Sequence, residues 1–394
     1  MARNRVIYQS DAIFVGPDVG NATGAHTTGV YAVYGNLKAQ MSGNDNIDQL
    51  YRIQSVAWNA SVARQNVNQF GELAAIDQLI LEQPTVGLDL TWLVNGLENE
   101  RAIGLTVKNT GQAGVVSCIS GILSKATDEH NFFVVQAAEG SDINNATIQV
   151  AGTRVYGFGN MFLSSYSTEG SVGGFPQATT RFEGLNYVVQ TGAEQNVVPA
   201  VFPTDGTRVT GWFYKLSNPT SSYIDAAQPD LASSAFRPGD ITLNIYESGT
   251  TTAYTGLGAV SDSVNGALQS YRFNFDLRRE NLQKLGSKFA YSKEVTYPLD
   301  ATCSINGLVR DLNVGSLETI ICDDKLYDIQ VTIARPTCDT VKPVLAKYIL
   351  KGAKISNQSY NMNIGSNKTF TLDFTSQIGS ATQTSLGMFM SGIN

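Results

Sequence analysis

The sequence predicts a mainly β chain, and three observations carry that prediction: a low content of charge, apolar residues that alternate with period two, and the recurrence of one strand pattern in both halves. Charged residues make up 15% of the 394, against roughly 25% in ordinary soluble domains. Much of the surface must therefore be Gly, Ser, Thr, Asn and Gln, which suits sheets and broad protein contacts better than helical bundles. The apolar fraction of 42% can fill packed cores. Single cores rarely grow past about 200 to 250 residues, so this length suggests two domains.

The first alternating run lies in QSVAWNASVARQNVNQFG, residues 54–71, where Val56, Trp58, Ala60 and Val62 alternate with polar or small residues. It recurs without a gap in QSYRFNFDLRRENLQKLG, residues 269–286, with Tyr271, Phe273, Phe275 and Leu277 at the same positions. Gln54, Ser55, Arg64, Asn66 and Gly71 return as Gln269, Ser270, Arg279, Asn281 and Gly286. Period two marks a half-buried strand with one face on a core. Val67 and Phe70 then map onto Leu282 and Leu285 before the paired glycine, which predicts a short turn or single helical turn that reverses the chain.

A second run follows in each half: Val86, Leu88, Leu90, Trp92 and Val94, then Val295, Tyr297, Leu299, Ala301, Cys303 and Ile305. Each closes on Asn-Gly, at Asn95-Gly96 and Asn306-Gly307, a hairpin signal because these residues accept positive φ cheaply. Aligning Pro84 with Pro298 puts the two runs out of phase by one residue, which predicts a one-residue bulge or shifted turn. Further on, Asp128, Glu129, Phe132 and Val134 match Asp323, Asp324, Tyr327 and Ile329, while Val172-Gly173 and Phe182 match Ile364-Gly365 and Phe374. The matches keep their order, so duplication is the better account.

The resulting division is a first unit at residues 1–190, a connector at 191–236 and a second unit at 237–394, opening near Arg237-Pro238-Gly239. The connector holds Pro199, Pro203, Pro219 and Pro229, while its apolar patch from Val209 to Tyr214, with Trp212 and Phe213, predicts that it packs on something.

A net charge of −7 argues against gripping nucleic acid through phosphates. The N-terminus lacks the apolar stretch of a signal peptide and no run approaches a membrane span, so synthesis and folding in the cytosol are expected. Cys118, Cys303, Cys322 and Cys338 form no C-x-x-C pair and read as free, mostly buried thiols.

Residues 52–105 carry R-I-Q-S leading into R-Q-N-V-N-Q-F-G-E-L-A, then L-I-L-E-Q-P-T-V-G-L-D-L, then N-G and Ile103-Gly104-Leu105. With Gly121-Ile122-Leu123 through Asn131-Phe132-Phe133, and Ser171-Val172-Gly173 through Phe182-Glu183-Gly184, this stretch resembles the tail-tube (major tail) proteins of tailed bacteriophages. The resemblance covers most of the first unit; the second follows through the repeat. It implies two tandem tail-tube-like β-sandwich or barrel domains, each with a short flanking helix. It also implies homotrimeric, pseudo-hexameric rings stacked into a tube in the virion tail, assembled in the host cytoplasm. Implied partners are further copies of the chain and the tape-measure, terminator and baseplate proteins, while genomic DNA passes through the lumen without specific binding. No cofactor, metal or catalytic residue is implied.

The search for chemistry agrees with a structural role. His26 and His130 have no metal or nucleophile spacing, and the glycines of 170–174 lack the Lys and helix of a phosphate loop. Asp323-Asp324 and Glu98 with Glu100 read as solvated acids, and Trp58, Trp92, Phe273 and Phe275 as core packing. The repeated positions Trp58, Arg64, Asn66, Phe70, Gly71, Phe273, Arg279, Asn281, Leu285 and Gly286 are the candidates for organising folding or assembly. Two alternatives stay open: a tail terminator, baseplate hub or capsid decoration protein of related fold, and a β-rich carbohydrate-binding adhesin module.

Overall fold

The computed structural model describes residues 11–17, 48–80, 83–94, 96–109, 116–124, 128–137, 143, 153–191, 199–202, 206–207, 238–249, 267–308, 325–334, 344–364 and 367–392. The chain is mainly β, as the alternation predicts. The first half contributes β1 (Asp11–Pro17), β2 (Asp48–Leu50), β3 (Ile53–Ser61), β4 (Arg64–Val67), β5 (Asp77–Ile80), β6 (Thr85–Leu93), β7 (Val107–Asn109), β8 (Glu129–Gln136), β9 (Arg154–Ser171), β10 (Gln177–Gly184) and β11 (Asn186–Thr191). The second contributes β12 (Ile241–Glu247), β13 (Ala267–Asp276), β14 (Arg279–Leu282), β15 (Ser292–Val295), β16 (Leu299–Leu308), β17 (Tyr327–Ala334), β18 (Val344–Asn361), β19 (Thr369–Ile378) and β20 (Gly387–Gly392). Two short helices, Glu98–Ala102 and Ser120–Leu123, lie in the first half. Among the described residues no helix is long and apolar enough to cross a membrane.

The two halves repeat each other in pairing and in register. β3 pairs β6 as β13 pairs β16, and the partners of Ser55 through Ala60 are the partners of Ser270 through Phe275 displaced by a constant 215 residues. In both pairs one glutamine, Gln54 or Gln269, is the extra residue of a bulge. β9 pairs β10 as β18 pairs β19, here displaced by 192. The extra residue in these pairs is a serine, Ser164 or Ser356. Its hydroxyl donates across the bulge to the carbonyl of Arg181 at 3.1 Å or of Asp373 at 3.0 Å. A third irregularity recurs where β9 and β18 turn from one layer to the other, with Asn160 at φ 53° and Gly352 at φ 59°. The amide of each donates to a side chain on the neighbouring strand, Asn131 Oδ1 and Asp328 Oδ1.

These registers correct several expectations. The constant displacement leaves no slip between the second runs: Pro84 corresponds to Leu299, not Pro298, and the bulge sits at the glutamines instead. Asn306-Gly307 lies inside β16, paired with Thr371 and Phe370, because the strand is held on both sides and has no need to turn there. Asn95 lies outside the described residues, and β6 is followed by the helix Glu98–Ala102. Val295 belongs to β15, separate from the run beginning at Leu299. His130, not Phe132, occupies the place of Tyr327. The reversal after Arg64 and Arg279 is a β-hairpin, β4 with β5 and β14 with β15, and no helical turn. Alternation here outweighs the short helical spacing because the ladder bonds satisfy the backbone groups.

Eight strands form a continuous sheet in the order β18-β19-β16-β13-β9-β10-β6-β3. The proximal halves of β9 and β18 run on into a second layer, where they pair with β8 and β11, and with β17 and β20. The layers meet in one apolar cluster that spans both halves of the chain. Phe132 of β8 meets Phe182 of β10 with ring centroids 4.5 Å apart, and Tyr327 meets Phe374 in the second half at 6.2 Å. Burial of such rings is the main stabilising contribution, at about 25 cal/mol per Å² of apolar surface.

Candidate assembly interface

The halves are joined where β13 pairs antiparallel with the distal part of β9, from Ser270 opposite Ser171 to Asp276 opposite Ser165. On the core side of this join Phe275 stacks on Tyr166 at 5.5 Å and Phe273 on Tyr348 at 6.2 Å. Beneath it Glu100 accepts hydrogen bonds from Tyr166 Oη at 3.0 Å and Trp92 Nε1 at 3.2 Å. Complete burial pushes the Glu100 carboxyl up to about 7, since a charge there would lose its hydration. Glu100 is thus a buried, partnered acid and not the solvated one expected from its neighbour Glu98.

The hairpin β14–β15 folds back over the other half and is fixed by Arg279. Its guanidinium pairs with Asp128 at 2.7 Å, donates to the carbonyls of Leu163 at 3.1 Å and Lys293 at 3.2 Å, and lies 5.1 Å above the Phe162 ring. His130 is buried nearby and its pKa falls to about 4, through burial first and then the Arg279 charge. A second link between halves is the parallel pairing of β7 with β20. Beside it Cys118 N donates to the Met388 carbonyl at 2.8 Å, and Ser120 Oγ to that of Ala381 at 2.7 Å.

The repeated positions in the first half lack these partners. Phe273 is 0% exposed while Trp58 is 43% exposed, resting on Tyr156 at 5.4 Å and Phe158 at 5.7 Å. Trp58 is therefore not the core residue expected: β3 is the last strand of the sheet among the described residues. Trp92, Phe273 and Phe275 are core residues, as expected. Arg64 is exposed, although its strand pairing equals that of Arg279. Asn66 faces Gln78 as Asn281 faces Lys293. Phe70 and Leu285 stand fully exposed at the two hairpin tips, beside Gly71 at φ 95° and Gly286 at φ 85°, left-handed backbone that glycine adopts without strain.

The same contrast runs through β11 and β20. Tyr187 and Val189 are 47% and 49% exposed, whereas the residues at their places, Met388 and Met390, are 0% and 1%. At the opposite edge, too, no further strand is paired among the described residues. Gln358, Tyr360 and Met362 of β18 and its extension stand where Tyr166, Thr168 and Gly170 are covered by β13.

The open face of the eight strands is polar. Asp89, Glu169, Glu183, Asp276, Asp300 and Asp373 project from it among serines, threonines and asparagines, against Arg181, Arg272 and Lys354. Arg181 lies 3.9 Å from Glu183. No group of three or more metal-ligating side chains occurs among the described residues. Cys118 and Cys303 are buried free thiols. His26, Cys322, Cys338, Asp323-Asp324 and the patch Val209–Tyr214 lie outside the described residues.

No protein-family model and no curated protein matches the chain. Among solved structures it is similar to a chain of the virion of a native gene transfer agent particle, with 14% identity and a TM-score of 0.25 over 40% of this chain and 98% of that one. It is similar to the SPP1 tail tube, with 11% identity and a TM-score of 0.26 over 40% and 81%. An Hcp protein matches with 14% identity and a TM-score of 0.21 over 38% and 97%.

Proposed function

We propose that this chain is a structural virion protein that polymerises as stacked rings into a phage tail tube, the conduit for the genome, and that it is not an enzyme. Its two units, residues 1–190 and 237–394 with the connector 191–236 between them, are two copies of one fold, and three chains make a ring of six. The observation that supports this most strongly is the eight-stranded sheet, whose two edges carry no further strand among the described residues and are the counterparts of the two strands already joined inside the chain. An open, extended edge is an aggregation hazard unless something covers it. A head-to-tail contact covers every edge when the rotation closes, and stacking of the rings then makes a filament.

Closure of three chains would give a barrel of about 24 strands, well above the 16 to 18 that already leave an aqueous channel. At about 4.8 Å between strands and a tilt of about 40°, the backbone diameter is roughly 50 Å. The open face would line this channel. Its excess of acids over bases suits a wall that lets nucleic acid slide, since retention needs clustered Lys and Arg to neutralise phosphates.

Negative-stain microscopy of the purified protein tests the reading. Tubes with a central channel are expected; a stable monomer at high concentration overturns it, and a basic inner wall in a reconstructed tube overturns the account of the lumen.

A further inference from the structure

The join inside the chain specifies the join between chains. We propose that β3 of one copy adds antiparallel to the distal half of β18 of a second copy, in the register of β13 on β9. Applying the displacement of 215 to β13 and of 192 to β9 converts Arg272 opposite Glu169 into Ala57 opposite Asn361, and Phe273 opposite Thr168 into Trp58 opposite Tyr360. The proposal rests on the reading above only in that copies of the chain meet; it does not depend on rings stacking.

Four features favour a second copy as the occupant. Among the described residues neither edge carries a further strand, and each has the bulge that its internal counterpart has, Gln54 in β3 and Ser356 in β18, so twist and reach agree. The side chains left bare are the ones an added strand covers: Trp58 on one edge, Tyr360 on the other, both 43% exposed. An aromatic pair directly opposite across two strands adds about 0.2 to 1 kcal/mol beyond strand pairing. The hairpin β4–β5 would then overlie the second copy as β14–β15 overlies β9, bringing Arg64 to the carbonyl of Ile355, the counterpart of Leu163. Finally, the edges differ from each other, so the contact is head-to-tail and not two-fold.

Disulfide trapping reads the register. In-register Cβ atoms lie about 4.5 to 5.5 Å apart and diagonal ones about 7 to 8 Å, while a disulfide needs about 3.8 Å. The double variant Ala57→Cys with Asn361→Cys is expected to form interchain disulfides under mild oxidation at least tenfold faster than Ala57→Cys with Ser359→Cys, two residues out of step on the same face. Ala57→Cys alone should stay uncrosslinked, and a mixture of the two single variants should stop at dimers; background from the native thiols is set by the unsubstituted chain. Faster linkage of the shifted pair, or self-linkage of Ala57→Cys alone through β3 against β3, overturns the register even where microscopy shows tubes. Linkage in register without tubes keeps the register and sinks the tube reading. Absence of any linkage or association at high concentration overturns both.

Discussion

The strand β13 and the strand β3 have the same length of alternation, the same bulge and the same following hairpin, yet one is a core strand and the other an edge. Phe273 is buried by β9 and Tyr348, while Trp58 has support on one side only. The difference is not in the strands but in what each meets: β13 lies beside the distal part of β9, and among the described residues no strand lies beyond β3. A residue's burial follows from which copy of the repeat carries it.

Truncation at the covered join should have the largest effect. Phe273→Ala removes a fully buried ring and is expected to cost about 3 to 5 kcal/mol in denaturant unfolding of the chain. Trp58→Ala should cost the isolated chain less than about 1.5 kcal/mol, given its exposure, and act on association instead. Equal losses at the two positions would break the comparison. Next, Arg279→Ala leaves the partly buried Asp128 without its cation and should destabilise by about 2 to 3 kcal/mol, whereas Arg64→Ala should change unfolding of the isolated chain by no more than about 0.5 kcal/mol.

Acidity tests the covered join from beneath. Glu100 rises from 4.5 to about 7 in the fold, so its contribution is complete below pH 4.5 and is lost as pH rises through 7. His130 falls from 6.5 to about 4, so its contribution is complete above pH 6.5 and is lost as pH falls through 4. The slopes oppose each other between pH 4.5 and 6.5. Glu100→Gln is expected to leave the His130 slope exposed, with stability rising by roughly 3 kcal/mol from pH 4 to pH 6.5; a flat profile for that variant, followed by chemical denaturation, would count against the assignment. At the β18 edge Gln358 stands at the place of Tyr166, without that phenol's hydrogen bond to a buried acid.

The smallest effect on folding is expected at the hairpin tips. Phe70→Asp and Leu285→Asp touch side chains already in solvent and should shift stability of the isolated chain by less than about 0.5 kcal/mol. Their effect belongs to assembly: tubes that form normally from either variant in microscopy would remove these tips from the proposed contacts.

Period-two alternation was enough to place β3, β6, β13 and most of β16, because a strand with one face on a core must write that face into every second residue. The recurrence of Arg64, Asn66 and Gly71 marked a reversal of the chain in both halves, since a turn depends on local backbone geometry, whereas the bulges at Gln54 and Gln269 appear only in the strand register. Asn306-Gly307 misled because a turn signal is only a local preference, and a strand held on two sides overrides it. Glu100 reads as a solvated acid for a related reason: its burial depends on Trp92 and Tyr166, 8 and 66 residues away, and nothing within its own helix announces them. By itself, then, the sequence determined a β chain with a repeated strand and hairpin. Which copy of that strand is core and which is edge was decided only by tertiary structure, because burial is a property of the neighbour and the two copies carry nearly the same local signal.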